Sequence, residues 1–179
     1  STFLLKAAVD TLGSDNVLAC IGVSPSLARS QYDQAMDNAR AMGARVQEVT
    51  VAELEDQAYA ANKADRCFHC KSHLYTVLKQ IADQAGFGRV ICGSNFDDKA
   101  DYRPGNQAAL KLNVLSPLMD AQMTKADIRT LSRDMNLATA DIPASPCLAS
   151  RMAYGLEITA DRLAQVEKAE DFLRSLEFV

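Results

Sequence analysis

Two short apolar, β-branched runs, NVLACIGVS (16–24) and ARVQEVTV (44–51), flank one amphipathic stretch, SQYDQAMDNARAMG (30–43). In that stretch Tyr32, Ala35, Met36, Ala39 and Met42 recur at the helical period. Strand, helix and strand in this order predict a parallel pair joined by a crossover helix, because parallel strands cannot be joined by a tight turn.

The alternation continues in both directions. STFLLKAAVDTLG (1–13) places Phe3, Leu4, Ala7, Ala8 and Leu12 on a helical pattern that Gly13 stops. A short helix is expected from Ala52, then a long one ending about Gly86, and GRVICGS (88–94) reads as a third strand. A loop rich in Asp, Gly and Pro runs from Asn95 to Asn106. TKADIRTLSRDMN (124–136) is a helix capped by Thr124, residues 140–159 form a long loop, and ADRLAQVEKAEDFLRSL (160–176) is a helix capped by Thr159. The expected fold class is α/β, a parallel sheet flanked by helices. The apolar pattern begins at once and EDFLRSLEFV carries no stop signal, so more chain is expected at both ends.

A composition of 48% hydrophobic and 23% charged residues suits a globular domain with a sizeable core. No apolar run approaches the ~18–20 residues of a membrane span, and the start has no signal-peptide pattern. A net charge of −4 and a pI near 5.2 give no basic footprint for a long nucleic acid. The five cysteines are an odd number, which argues for a reducing, cytoplasmic setting rather than a disulfide framework. Cys20 and Cys92 lie in apolar strand patterns and read as buried packing residues. Cys67, Cys70 and Cys147 remain.

In a parallel sheet, ligands bind where strands end and helices begin. Ser1–Thr2, the turn GVSPS holding Val23 and Ser24, and CGSNFDD holding Gly93, Ser94 and Asn95 meet that description. DRCFHCKSHLY (65–75) puts Cys67, Cys70 and Lys71 on one helical face with Leu74, Leu78 and Ile81. The cysteines could extend the core stripe, form a redox pair or act as ligands. A redox pair should directly follow a strand, and a core stripe would not take an ammonium. His69 and His73 share another face and read as surface histidines. In CGSNFDDKADYRPG the carboxylates of Asp97 and Asp98 could hold Mg²⁺ beside a phosphate, and Arg103 could pair with a phosphate or a carboxylate. In SPCLASR, Cys147 stands four residues before Arg151, a candidate reactive thiol or metal ligand.

Taken in order, RCFHCK, GSNFDDKADYRPG, SPL (116–118) and PCLASRMAYG resemble the LarE family over nearly the whole chain. That resemblance implies a PP-loop (N-type) ATP pyrophosphatase fold, of the adenine nucleotide alpha hydrolase-like class. Residues 1–158 would be the PP-loop domain and 159–179 the start of a smaller C-terminal domain. Ser1 would be the last residue of the phosphate loop. The implied activity is ATP-dependent sulfur transfer in nickel-pincer nucleotide synthesis. A carboxylate of pyridinium-3,5-dicarboxylate mononucleotide is adenylated and becomes a thiocarboxylate. The implied cofactors are ATP, Mg²⁺ and a 4Fe-4S cluster on Cys67, Cys70 and Cys147, which delivers the sulfide; members without the cluster sacrifice their own cysteine sulfur. Lys71, Arg103 and Arg151 would hold substrate, with Ser1, Val23, Ser24, Gly93, Ser94 and Asn95 around the nucleotide. The expected partners are the small nucleotide substrate, a sulfide donor and further copies of the chain. An iron–sulfur tRNA thiolase and a zinc-stabilised nucleotide-binding module stand as alternatives.

Overall fold

The computed structural model describes residues 1–177; residues 178–179, the end of the expected C-terminal segment, lie outside the described residues. Helix α1 (Thr2–Leu12) starts on Ser1, whose hydroxyl accepts from the Leu4 N–H, and stops at Gly13, where φ is 83°. Strand β1 (Leu18–Val23), helix α2 (Arg29–Ala41) and strand β2 (Arg45–Thr50) follow. The strands pair in parallel from Leu18–Arg45 to Val23–Thr50, as the spacing requires. Helix α3 (Gln57–Ala60) is a single turn, and α4 (Arg66–Ala85) is the longest helix, closed by Gly86 in the left-handed region.

The third expected strand is reduced to one parallel bridge, Ile91 with Leu115. The Cys92 N–H donates to Leu115 O at 2.8 Å and the Leu115 N–H to Val90 O at 3.0 Å. Pairing stops there because both segments soon coil: one into a 3-10 turn at Asp97–Lys99 and the other into a helix at Pro117. Val17, Leu18 and Cys20 on one side and Val90 and Ile91 on the other line a cavity of about 160 Å³ between β1 and this bridge.

Helices α5 (Pro104–Lys111), α6 (Pro117–Asp120), α7 (Lys125–Asp134) and α8 (Ala160–Ser175) complete the chain. The expected loop at 95–106 therefore ends three residues early, because Pro104 opens α5, where its fixed φ suits a first turn. Thr124 caps α7 in a reciprocal box with Asp127, and Thr159 caps α8. Tyr59, Leu148, Ala149, Ile158 and Leu163 form one core cluster. A second joins α4 and α5 through Tyr75, Ala108 and Ala109, and a third joins α1 to α7 through Phe3, Leu118 and Ile128. Among the described residues no helix is long and apolar enough to cross a membrane.

Candidate active site

The N-terminal turn of α4 is anchored from below. Asn62 is fully buried, with φ at 50°, and its amide donates to Ala153 O at 2.8 Å and Leu156 O at 3.0 Å. Its side-chain oxygen accepts from the buried Arg66 guanidinium, which also lies 5.3 Å from the Tyr154 ring. Backbone bonds from Gly155 N to Asn62 O and from Ile158 N to Ala60 O tighten the same junction. The PCLASR segment is thereby fixed against α4, and Leu148 N donates to Ser26 O to fix it against the turn after β1. Ser26 is itself held by a buried 2.6 Å hydrogen bond to Tyr59.

This packing brings Cys147 to Cys70. Both lie half-buried against the cluster of Tyr59 and Leu148, while Cys67 is exposed one turn earlier on α4. Burial pushes the Cys70 thiol up to about 12, with the Glu53 carboxylate adding, Lys71 opposing, and Cys147 and Cys67 adding further. Cys70 thus lies within electrostatic reach of both Cys147 and Cys67. Among the described residues no three Cys, His, Asp or Glu side chains gather closely enough to hold a metal ion. The donor set is three thiols from two elements, α4 and the loop that carries Cys147. Thiolates are the side chains that iron–sulfur clusters take as ligands.

Arg151 sits otherwise than a free substrate cation would. Its guanidinium pairs with Glu170 of α8 and donates to Pro146 O, to Cys147 O at 3.3 Å and to the Ser150 hydroxyl at 2.9 Å. It braces the loop that carries Cys147.

Cys67 opens onto a cavity of about 440 Å³ that also takes in Lys71, Arg103, Ser94 and Tyr154. Helix α5 approaches α4 here at Gly105, where a Cβ would lie 3.1 Å from Lys71 Cγ. Arg103 pairs with Asp98 at 3.2 Å and Asp101 at 3.0 Å. Cys92, read from sequence as a buried strand residue, is only half-buried and lines this cavity. Burial raises its thiol, but hydrogen bonds with Ser116, Ser94 and Tyr75 outweigh that and hold it below the ordinary value. Its position on an edge with a single bridging partner explains the access.

Ser1 and Gly93 line this cavity and also a second one, of about 370 Å³, which Asn95, Lys125, Arg129, Gln31 and Gln34 share. A Cβ on Gly93 would lie 2.5 Å from the Ser1 Cβ, so only glycine permits this approach. The Arg129 Nε is buried with no hydrogen-bond partner among the described residues. Val23 and Ser24 line neither cavity. Val23 O accepts from Val51 N, and the Ser24 hydroxyl accepts from Ser26 N. Asp97 accepts from Lys125 N at 2.8 Å and Asp98 from Asn95 N at 3.0 Å, so both carboxylates already shape the loop.

Sequence reasoning missed Glu53, 1% exposed, with both carboxylate oxygens unpartnered among the described residues. It missed Asp56 as well, whose carboxylate meets His69 at 3.3 Å and His73 at 3.0 Å, leaving those histidines part-buried rather than free on the surface. The Asn62–Arg66 pair was also unseen, although its i, i+4 spacing was a signal.

No family model matches the chain. A pyridinium-3,5-bisthiocarboxylic acid mononucleotide synthase of Lactiplantibacillus plantarum is 38% identical over 178 residues, 99% of this chain and 64% of that protein. The chain belongs to the LarE family. An uncharacterized protein of Synechocystis is 42% identical over 98% of the chain, and one of Methanocaldococcus jannaschii 31% identical over 64% of it. The chain spans 65% and 64% of the length of the first two relatives. LarE membership carries the PP-loop fold with it, and the parallel β1–β2 pair flanked by helices agrees.

Proposed function

We propose that this chain is the catalytic core of an ATP-dependent sulfur transferase that converts a carboxylate of pyridinium-3,5-dicarboxylate mononucleotide into a thiocarboxylate, a step of nickel-pincer nucleotide synthesis. The observation that carries this reading is the 38% identity to the Lactiplantibacillus plantarum synthase over 99% of the chain. The two cavities that meet at Ser1 and Gly93 support it, since a two-substrate transfer needs its reactants side by side.

In this reading ATP occupies the cavity of Lys125 and Arg129. Backbone N–H groups at Ser1 and Gly93 take phosphate oxygens, as strand-end turns do, while Ser94 and Asn95, whose N–H groups bond Cys92 and Asp98, shape that turn. Val23 and Ser24 have a supporting place at the end of β1. Lys71 and Arg103 hold the mononucleotide's anionic groups in the cavity of Cys67. A substrate carboxylate oxygen attacks the α-phosphorus and pyrophosphate leaves. The lysines and arginines offset charge that grows in that step. Attack of sulfur on the acyl carbon then releases AMP. Mg²⁺ needs no protein cage, because it is usually carried by substrate phosphates with one or two carboxylates. Asp98 is the better placed of the two acidic residues, 16% exposed at the Arg103 cavity.

Cys67, Cys70 and Cys147 would hold a 4Fe-4S cluster, which supplies an iron open to a non-protein sulfide. Arg151 acts through the Cys147 loop it braces. The function is tested by incubating the full-length, anaerobically reconstituted protein with ATP, sulfide and the dicarboxylate mononucleotide. Formation of AMP, pyrophosphate and the thiocarboxylate supports the reading, and their absence refutes it.

The reading also proposes that residues 1–158 are the PP-loop unit, with Ser1 in its phosphate loop. Residues 159–179 would lead into a second unit, for which the exposed Phe172, Leu173 and Leu176 of the α8 end offer a contact face. A cytoplasmic setting, a sulfide donor and self-association belong to the same proposal.

A further inference from the structure

Tyr102 and Tyr154 are 68% and 69% exposed, the most open aromatic side chains among the described residues. They come from different loops, yet both line the cavity that holds Cys67, Lys71 and Arg103. An isolated exposed aromatic needs no explanation. Two at the rim of one cationic cavity do, because flat apolar faces beside Lys and Arg are poor solvent surface and good ligand surface.

The charges limit what such a ligand can be. Lys71 attracts anionic groups and repels a bare cation, and Arg103 adds to this from its pairs with Asp98 and Asp101. A positively charged ring could enter only with anionic groups attached and an electron-rich face to lie on. Tyrosine rings provide that face. Tyr154 has one side committed to the Arg66 guanidinium at 5.3 Å, and Arg66 is held by the buried Asn62, so this ring is a fixed wall. Tyr102 makes no aromatic or cation contact among the described residues, and its ring is open to a ligand.

We propose that Tyr102, with Tyr154 as the fixed wall, clamps the positively charged pyridinium ring of the mononucleotide, while Lys71 and Arg103 take its anionic groups. This specificity element rests on the function proposed above.

Calorimetric titration of the full-length protein tests it, with two probes: nicotinic acid mononucleotide, whose ring is cationic, and its dihydropyridine form, whose ring is neutral. Wild type should prefer the cationic probe, and Tyr102→Phe should keep that preference. Tyr102→Leu should weaken the cationic probe roughly tenfold and barely change the neutral one. Tyr102 is a surface loop residue, so its variants should fold, and unchanged ATP affinity verifies that. If wild type binds both probes equally, or Tyr102→Leu keeps the full preference, the clamp is wrong. If wild type binds neither probe while binding ATP, the proposed substrate class itself fails.

Discussion

Gly93 and Ser1 approach so closely that a Cβ on Gly93 would lie 2.5 Å from the Ser1 Cβ, and both residues border the two cavities. Gly93→Val should therefore lower ATP affinity at least tenfold in an equilibrium titration while Cys67 stays alkylatable in the folded protein. Normal ATP binding would remove these residues from the nucleotide site. At the thiols, Cys67→Ala, Cys70→Ala and Cys147→Ala should each lose the broad visible absorbance of the reconstituted protein and keep ATP binding. The sequence singled these cysteines out because a Cys-x-x-Cys beside a lysine suits a ligand pair better than a core stripe, and these variants test that reading. Glu53 and Asn62 were not legible. Each is a polar residue with no pattern of its own that marks it as buried, and contacts distant in sequence, such as Asn62 with Ala153 and Leu156, bury it. Arg151 was legible as important, but its partner Glu170 on α8 turns it from a substrate contact into a brace.

Helices were read well wherever their own residues define the ends. Gly13 and Gly86 close α1 and α4 at positive φ, and Thr124 and Thr159 cap α7 and α8. Thr124→Ala should cost about 1 kcal/mol in a denaturant titration, the ordinary value of a lost cap. No loss would mean that α7 is held by its packing alone. Strands depend on neighbours, so GRVICGS pairs only as far as Leu115 allows and reads as a strand only in part. Helix α3 shows a second such dependence. Asp56 caps it at Ala58 and reaches across to α4, and the hydrogen bond with His73 holds its carboxyl below the ordinary 3.8. A depressed carboxyl adds stability above 3.8 that is lost as pH falls through its lower folded value. Wild type should therefore lose stability in that acid range more steeply than Asp56→Asn. Equal acid slopes would show that the α3–α4 bridge does not contribute.

Across the whole molecule, the core and the site share one scaffold. Leu163 of α8 is fully buried with Leu148 and Ala149, the residues that follow Cys147. Leu163→Ala should cost about 3 kcal/mol, within the usual range for a buried leucine, and should loosen the thiol site with the core. The α/β class was legible from strand–helix alternation alone. Strand-end placement also put Ser1 and Gly93, 92 positions apart, at one site, but not the two separate cavities that they join. The central claim is that three thiols on two elements hold a sulfur-delivering cluster. Iron and acid-labile sulfide per chain, measured on anaerobically reconstituted full-length protein, test it most directly. The account predicts about four of each, as a 4Fe-4S cluster requires, with both lost in each cysteine variant. Stoichiometric zinc without sulfide, or iron and sulfide retained in Cys67→Ala, would contradict it.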